Sequence, residues 1–189
     1  MMNFGYMNNI LRINLTTEEI NIENLDDLFL RRYIGGQAFI AYYLLKELPP
    51  KVNPLGPKNL LIFSTGPLTG TRIPGSGRNC VGAKSPLTGG FGEADVGGYW
   101  GAELKHAGYD GLIIEGKAKE PVYISIKNDD IQLLDAEKLW GKDTGSTEKI
   151  LKEELQDKFT RIAQIGLGGE NLVRYACIMN DLRNAAGRT

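Results

Sequence analysis

Apolar and polar positions alternate with period two along NILRINL (residues 9–15) and again along EEINIE (18–23). The runs are joined by Thr16-Thr17, a pattern that predicts a β-hairpin. Asp26-Asp27 then open a helical run, LFLRRYI, that halts at Gly35-Gly36. QAFIAYYLLKEL continues as a second, strongly apolar helix and stops at Pro49-Pro50, where a ring without an N–H cannot extend it. A helix this apolar has to be covered on most sides, so it belongs to the core. KNLLIFSTG reads as a buried strand between breakers, and NCVGAKS is a further β-prone run. GYWGAELKHA (98–107) predicts a helix ending at Gly108, and DGLIIEG, PVYISIK and DIQLLD predict three short strands. TEKILKEELQDKF is the clearest amphipathic helix: Ile150, Leu151 and Leu155 share a side, with Thr144 or Ser146 as its cap. RIAQIG and VRYACIMN complete the strands. Strand and helix do not alternate regularly enough for a doubly wound sheet, so the expected class is α+β.

Composition changes this picture only by exclusion. The 189 residues suffice for one large domain or two small ones, and 42% are hydrophobic. Charges nearly cancel, 22 basic against 23 acidic, which gives no electrostatic case for nucleic acid or an anionic membrane. The start, MMNFGYMNNILRIN, has neither a basic stretch nor a long apolar run, so the expectation is a cytoplasmic chain without signal peptide or membrane span. Cys80 and Cys177 stand far apart and form no metal-binding spacing; each is expected to be a buried free thiol. NDLRNAAGRT reads as a loop turning into a new element that the sequence does not complete, as in a fragment or a subunit finished by another chain.

Chemistry concentrates in the middle. Fourteen of the 24 glycines fall between Gly66 and Gly116, and the tetrapeptide PLTG occurs twice there, at 67–70 and 86–89. Glycine costs conformational entropy, so such a density requires positive φ angles or close backbone approach. Two readings stand side by side: a backbone cradle for a flat or phosphorylated ligand, with Arg78 embedded in GSGRN, or tight turns in a compact sheet. Gly166-Leu167-Gly168-Gly169-Glu170-Asn171 matches no phosphate motif and reads as a turn. The lone His106 reads as a capping or surface residue. Glu93, Asp95 and Glu103 lie near the glycines, where they meet either a hard cation such as Mg²⁺ or solvent.

The run GPLTGTRIPGSGRNCVGAKSPLTGGFGEADVGGYWGAELKHAGYDGLIIEGKA closely resembles the N-terminal domain of tungsten-dependent aldehyde ferredoxin oxidoreductases. ILRINLTTEEI, RRYIGGQAFIAYYLLKEL, IGLGGENLVRYACIMND and the terminal AAGR resemble the same family in the same order, so the likeness covers essentially the whole chain. The resemblance implies a single β-rich base domain over residues 1–189, built as two similar sheet-containing halves with packed helices, on which a bis-pterin cofactor lies. On it the PLTG repeat looks like an echo of the two halves. It implies tungsten, or molybdenum, held by two pterins bridged through Mg²⁺, and aldehyde oxidation to carboxylic acids. Electrons pass through a [4Fe–4S] cluster to ferredoxin, but the cluster's cysteines belong to later domains of the family. The chain is thus expected to be part of a longer oxidoreductase, inactive alone and homo-oligomeric. The alternative is a stand-alone pterin- or phosphate-binding module, or a structural subunit completed by another chain.

Residue by residue, Arg78, between Gly77 and Asn79, matches the arginine lying between pterin and cluster. A guanidinium suits that place because it stays charged and offers five fixed donors. Gly97 matches a glycine at the pterin, and Ala185, Gly187 and Arg188 match the AAGR segment that also meets the cofactor. Asp95 stands where the family has an asparagine whose backbone carbonyl helps hold the Mg²⁺ region, and Ala185 is implied there by its carbonyl as well. Asn184 replaces an arginine expected before AAGR, with Arg183 shifted by one place. The resemblance implies no catalytic acid or base in this chain.

Overall fold

The computed structural model describes residues 5–187. The hairpin comes first, β1 (Asn9–Asn14) and β2 (Glu19–Asn24), followed by α1 (Asp27–Tyr33) and α2 (Gln37–Glu47). Next come β3 (Leu61–Ser64), β4 (Asn79–Lys84), β5 (Phe91–Val96), α3 (Trp100–His106) and β6 (Gly111–Glu115). These strands make a six-stranded sheet in the order β2-β1-β6-β3-β4-β5. Its one parallel pair is β1 with β6; the other four are antiparallel. β7 (Val122–Lys127) and β8 (Asp130–Asp135) form a separate hairpin. After α4 (Thr144–Glu154), the chain closes with β9 (Ala163–Gln164), the single turn α5 (Leu167–Glu170), β10 (Ile178–Asn180) and β11 (Asn184–Ala186). The last three strands form a small antiparallel sheet in the order β11-β10-β9. The architecture is α+β, as the sequence pattern predicts.

Period-two alternation sorts the large sheet's side chains into two cores. Ile10, Ile62, Cys80 and Ile113 point to one face and meet Phe39, Ile40, Tyr43 and Leu44 of α2. Each such apolar side chain contributes about 1.5–3 kcal/mol on burial. Leu11, Ile13, Phe63, Val81, Val96 and Leu112 point the other way, onto Leu104 of α3, Tyr109, the β7–β8 hairpin and the small sheet. Along β1 the polar Arg12 falls on the α2 face, where Glu47 (2.6 Å) and Glu23 (3.2 Å) pair its guanidinium.

Several expectations are corrected. The cap of α4 is Asp143, one residue before the helix; its carboxylate accepts from the Ser146 amide at 3.0 Å. Of the three apolar residues given to that helix, Leu151 is buried, whereas Leu155 forms its C-terminal cap and is partly exposed. RIAQIG and VRYACIMN shorten to strands of two and three residues, because turns occupy the rest. Cys80 is buried as expected, but Cys177 is only half-buried. β5 carried no strand signal: FGEADV lacks β-branched residues until its end and lies on the sheet's edge. The two PLTG turns follow β3 and β4, which run antiparallel, so they lie at opposite ends of the sheet.

Candidate functional site

The sheet's edge brings the predicted residues together at one end of β4 and β5. Asn79 opens β4 and lies opposite Val96, the last residue of β5. The loop before β4 carries Gly77 and the exposed Arg78. Gly77 packs so closely on the Gly98 carbonyl oxygen that a Cβ there would sit 2.6 Å from it. On the other side, Gly97 and Gly98 face the β10–β11 turn: a Cβ on Gly97 would come 3.4 Å from Asn184 Oδ1, and one on Gly98 3.2 Å from Asn184 Nδ2. The Tyr99 amide donates to Asp181 at 3.4 Å. Ala185 follows on β11, and Gly187 is backed by the main chain of Ala176 and Cys177. Gly77, Arg78, Asn79, Gly97 and Asn184 therefore lie where the loop before β4, the segment after β5 and the β10–β11 turn meet, a junction taken as the candidate cleft, whereas Arg188 lies outside the described residues.

Two residues of this cleft carry an unusual signature. Asn79 and Asn180 are 2% and 0% exposed. Among the described residues, neither the side-chain oxygen nor the nitrogen of either asparagine has a hydrogen-bond partner. Buried amides are normally satisfied, because stripping them of water without replacement costs free energy. Both stand beside the glycine segment, Asn79 within 3 Å of a Cβ built on Gly101 and Asn180 within 4 Å of one built on Gly98. Donors and acceptors in that position, next to an exposed guanidinium, fit a planar polar ligand that brings its own heteroatoms and negative charge.

Asp95 sends its carboxylate to the sheet's other face. There Cys80 Sγ donates to Asp95 Oδ1 at 2.8 Å, and Glu93 lies within the same group. Gln37, at the start of α2, donates to Glu93 at 2.8 Å. Burial, reinforced by Asp95 and Glu93, pushes the Cys80 thiol well above its ordinary pKa. Burial and then Asp95 raise the Glu93 carboxyl as well. Glu103, grouped with these acids on sequence proximity, is exposed on α3 and lies 3.8 Å from His106 instead. His106 ends that helix, and its Nε2 meets the Gly70 carbonyl at 3.2 Å, a brace rather than a base. The glycine run after β9 forms the single turn α5.

Sequence reasoning passed over Asn180, Thr69 and the buried Lys105–Asp110 pair. Nothing in the local pattern marks a lone asparagine at a strand end or an ion pair five residues apart, although Thr69 stood inside the repeated PLTG.

The chain has known relatives. The family described as aldehyde ferredoxin oxidoreductase, N-terminal domain, matches residues 10–189, and this chain belongs to it. It is 53% identical to the tungsten-containing aldehyde ferredoxin oxidoreductase of Pyrococcus abyssi over 98% of its length, which is 30% of that protein. The aliphatic sulfonate oxidoreductase, WOR-like subunit, of Pyrococcus furiosus is 40% identical over 97% of the chain and 32% of its own length. Among solved structures, the active site complex BamBC of benzoyl coenzyme A reductase superposes with a TM-score of 0.95 at 39% identity, over 99% of this chain and 28% of that one. The chain thus spans about a third of the length of these relatives. Among its described residues no helix is long and apolar enough to cross a membrane.

Proposed function

We propose that this chain is the base on which a tungsten (or molybdenum) bis-pterin cofactor is seated in a larger aldehyde ferredoxin oxidoreductase. The observation that carries the reading is the pair of buried, unpartnered amides, Asn79 and Asn180, beside the close-packed glycines that adjoin the Arg78 loop. That cleft belongs to a chain 53% identical to a tungsten-containing enzyme. Arg78 supplies counter-charge and a planar fork of donors to the phosphates and pterin edge. Gly77, Gly97 and Gly187 let the protein's own segments close on one another to form the seat, Asn79 hydrogen-bonds the ligand, and Arg188 adds charge at the AAGR end. The main-chain carbonyls of Asp95 and Ala185 would hold Mg²⁺. The Asp95 carboxylate, occupied with Cys80 on the opposite face, takes no part in that role. Bound there, the cofactor supplies two-electron oxidation of aldehydes to carboxylic acids, with a [4Fe–4S] cluster held by the remaining domains and ferredoxin as acceptor. Relatives sharing this base are named for aldehydes, a sulfonate and benzoyl coenzyme A, so we assign it cofactor seating rather than substrate choice.

The test is tungsten and pterin per chain in variants of the expressed protein. Arg78→Ala removes a charge-assisted contact worth about 1.5–3 kcal/mol and should lower cofactor content at unchanged fold. Arg78→Lys, which keeps charge without the fork, should fall between. Wild-type loading in Arg78→Ala would remove the residue from the site.

A further inference from the structure

The loop that carries Arg78 is tied to the protein's interior by a continuous series of buried groups. Asp110, 0% exposed, accepts through one oxygen from the amides of Met7 (2.9 Å) and Asn8 (2.7 Å). Its other oxygen lies 2.7 Å from the ammonium of Lys105, itself only 3% exposed. Lys105 also donates to the Gly66 carbonyl at 2.8 Å. The Gly66 amide in turn donates to Thr69 Oγ at 3.0 Å, and that hydroxyl donates to the main-chain carbonyl of Arg78 at 2.9 Å. Thr69 is 6% exposed, while Arg78 is exposed at the cleft.

Resting on the seating role given to Arg78 above, we propose that Thr69 is the positioning residue that aims it. A hydroxyl can accept from one side and donate to the other at the same time, and here both partners are main-chain groups of different segments. Gly66 is anchored through Lys105 to the Asp110 pair, so the hydroxyl transfers a fixed reference from the core to the Arg78 peptide. Fixing the Arg78 peptide fixes the direction in which its side chain leaves the loop, so less conformational entropy is spent when a ligand arrives. The second PLTG is an internal control. Thr88 occupies the same place in the tetrapeptide, but it is exposed and its hydroxyl accepts from Gly90, two residues on in its own turn.

Thr69→Val, Thr69→Ala, Thr69→Ser, Thr88→Val and Arg78→Ala are compared in the expressed protein by two readouts. The first is amide hydrogen exchange over residues 77–80; the second is tungsten and pterin per chain. Loss of one buried hydrogen bond should speed exchange at this segment about five- to tenfold in Thr69→Val. Tungsten per chain should fall several-fold, and Thr69→Ala, which cannot overpack the site, should behave alike. Thr69→Ser should restore both readouts to within twofold of wild type, and Thr88→Val should change neither. Wild-type exchange in Thr69→Val and Thr69→Ala overturns the proposal. So does faster exchange with full tungsten loading, which leaves Thr69 a turn brace, or a serine variant as impaired as the valine one, which assigns the effect to the methyl group. If Arg78→Ala loses tungsten while the Thr69 variants keep it, the proposal fails and the seating role stands. Full loading in Arg78→Ala removes the seating role, and the proposal with it.

Discussion

A Cβ on Gly77 would meet a main-chain oxygen, Gly98 O at 2.6 Å, which cannot swing aside as a side chain can. Gly75, two residues earlier, has φ +84° and open space around it. The two positions separate close approach from turn geometry. Gly75→Ala should cost only the strain of a left-handed residue, about 1–2 kcal/mol, with tungsten content unchanged. Gly77→Ala should push the Arg78 loop off the Gly98 segment and lower tungsten content as well; equal loading in the two variants would deny Gly77 a place at the cleft. Glu93 offers a pH test on the sheet's other face. Its folded pKa is raised above the ordinary 4.5 by burial and by Asp95, so the ionised form is disfavoured in the fold. Folding is then unpenalised below pH 4.5 and is weakened as the pH rises through the raised value. Glu93→Gln keeps an acceptor for Gln37 and removes the charge. Its Tm should exceed wild type at pH 7 and lose that advantage below the ordinary glutamate value. An equal Tm at both pH values would contradict the shift.

Elements with strong periodicity were legible from sequence, and those defined by distant partners were not. The β1–β2 hairpin, α1 between Asp26 and Gly35, and α2 up to Pro49 follow from alternation, caps and breakers that lie within the element itself. β5 takes its strand character from pairing with β4 at the sheet edge, and its two carboxylates hide the alternation. The cleft divides the same way. Arg78 announced itself through the glycines around it. Asn180 reaches Gly98 only because β10 and β11 return to the end of β5, and no local signal records that return. Caps are a case where the motif was visible and the residue wrong. Asp143, Thr144 and Ser146 are all acceptable caps by type, and backbone geometry selects Asp143, extended at φ −69° and ψ 159°. Asp143→Ala should therefore lower stability in chemical denaturation, whereas Ser146→Ala should lower it less, since its amide remains to be capped by Asp143. The reverse order would return the cap to the helix's own residues.

At the scale of the molecule, the cleft opens on a surface whose apolar side chains are left uncovered by the rest of the chain. Tyr99, 62% exposed, follows Gly98 directly and stacks under the Arg161 guanidinium at 4.4 Å. Leu182 (39% exposed) sits in the β10–β11 turn, and Leu172 (62%) and Tyr175 (71%) belong to the segment leading to Ala176, which backs Gly187. Soluble monomers rarely leave several large apolar groups around one feature, and where they do the patch marks an interaction site. The relatives are about three times longer than the region they share with this chain, so material to cover such a face exists in them. Expressed as these 189 residues, the protein should self-associate through the cleft face in a concentration-dependent way. Leu172→Lys together with Tyr175→Lys should shift it toward monomer in sedimentation velocity without lowering Tm, because neither side chain is part of a buried core cluster. Hydrogen exchange over the loops at residues 70–78 and 97–99 should be fast in the monomeric variant and slow as protein concentration rises in the parent chain. A parent chain that stays monomeric at all concentrations, with those loops among its most protected segments, would show that the face is already satisfied by its own packing.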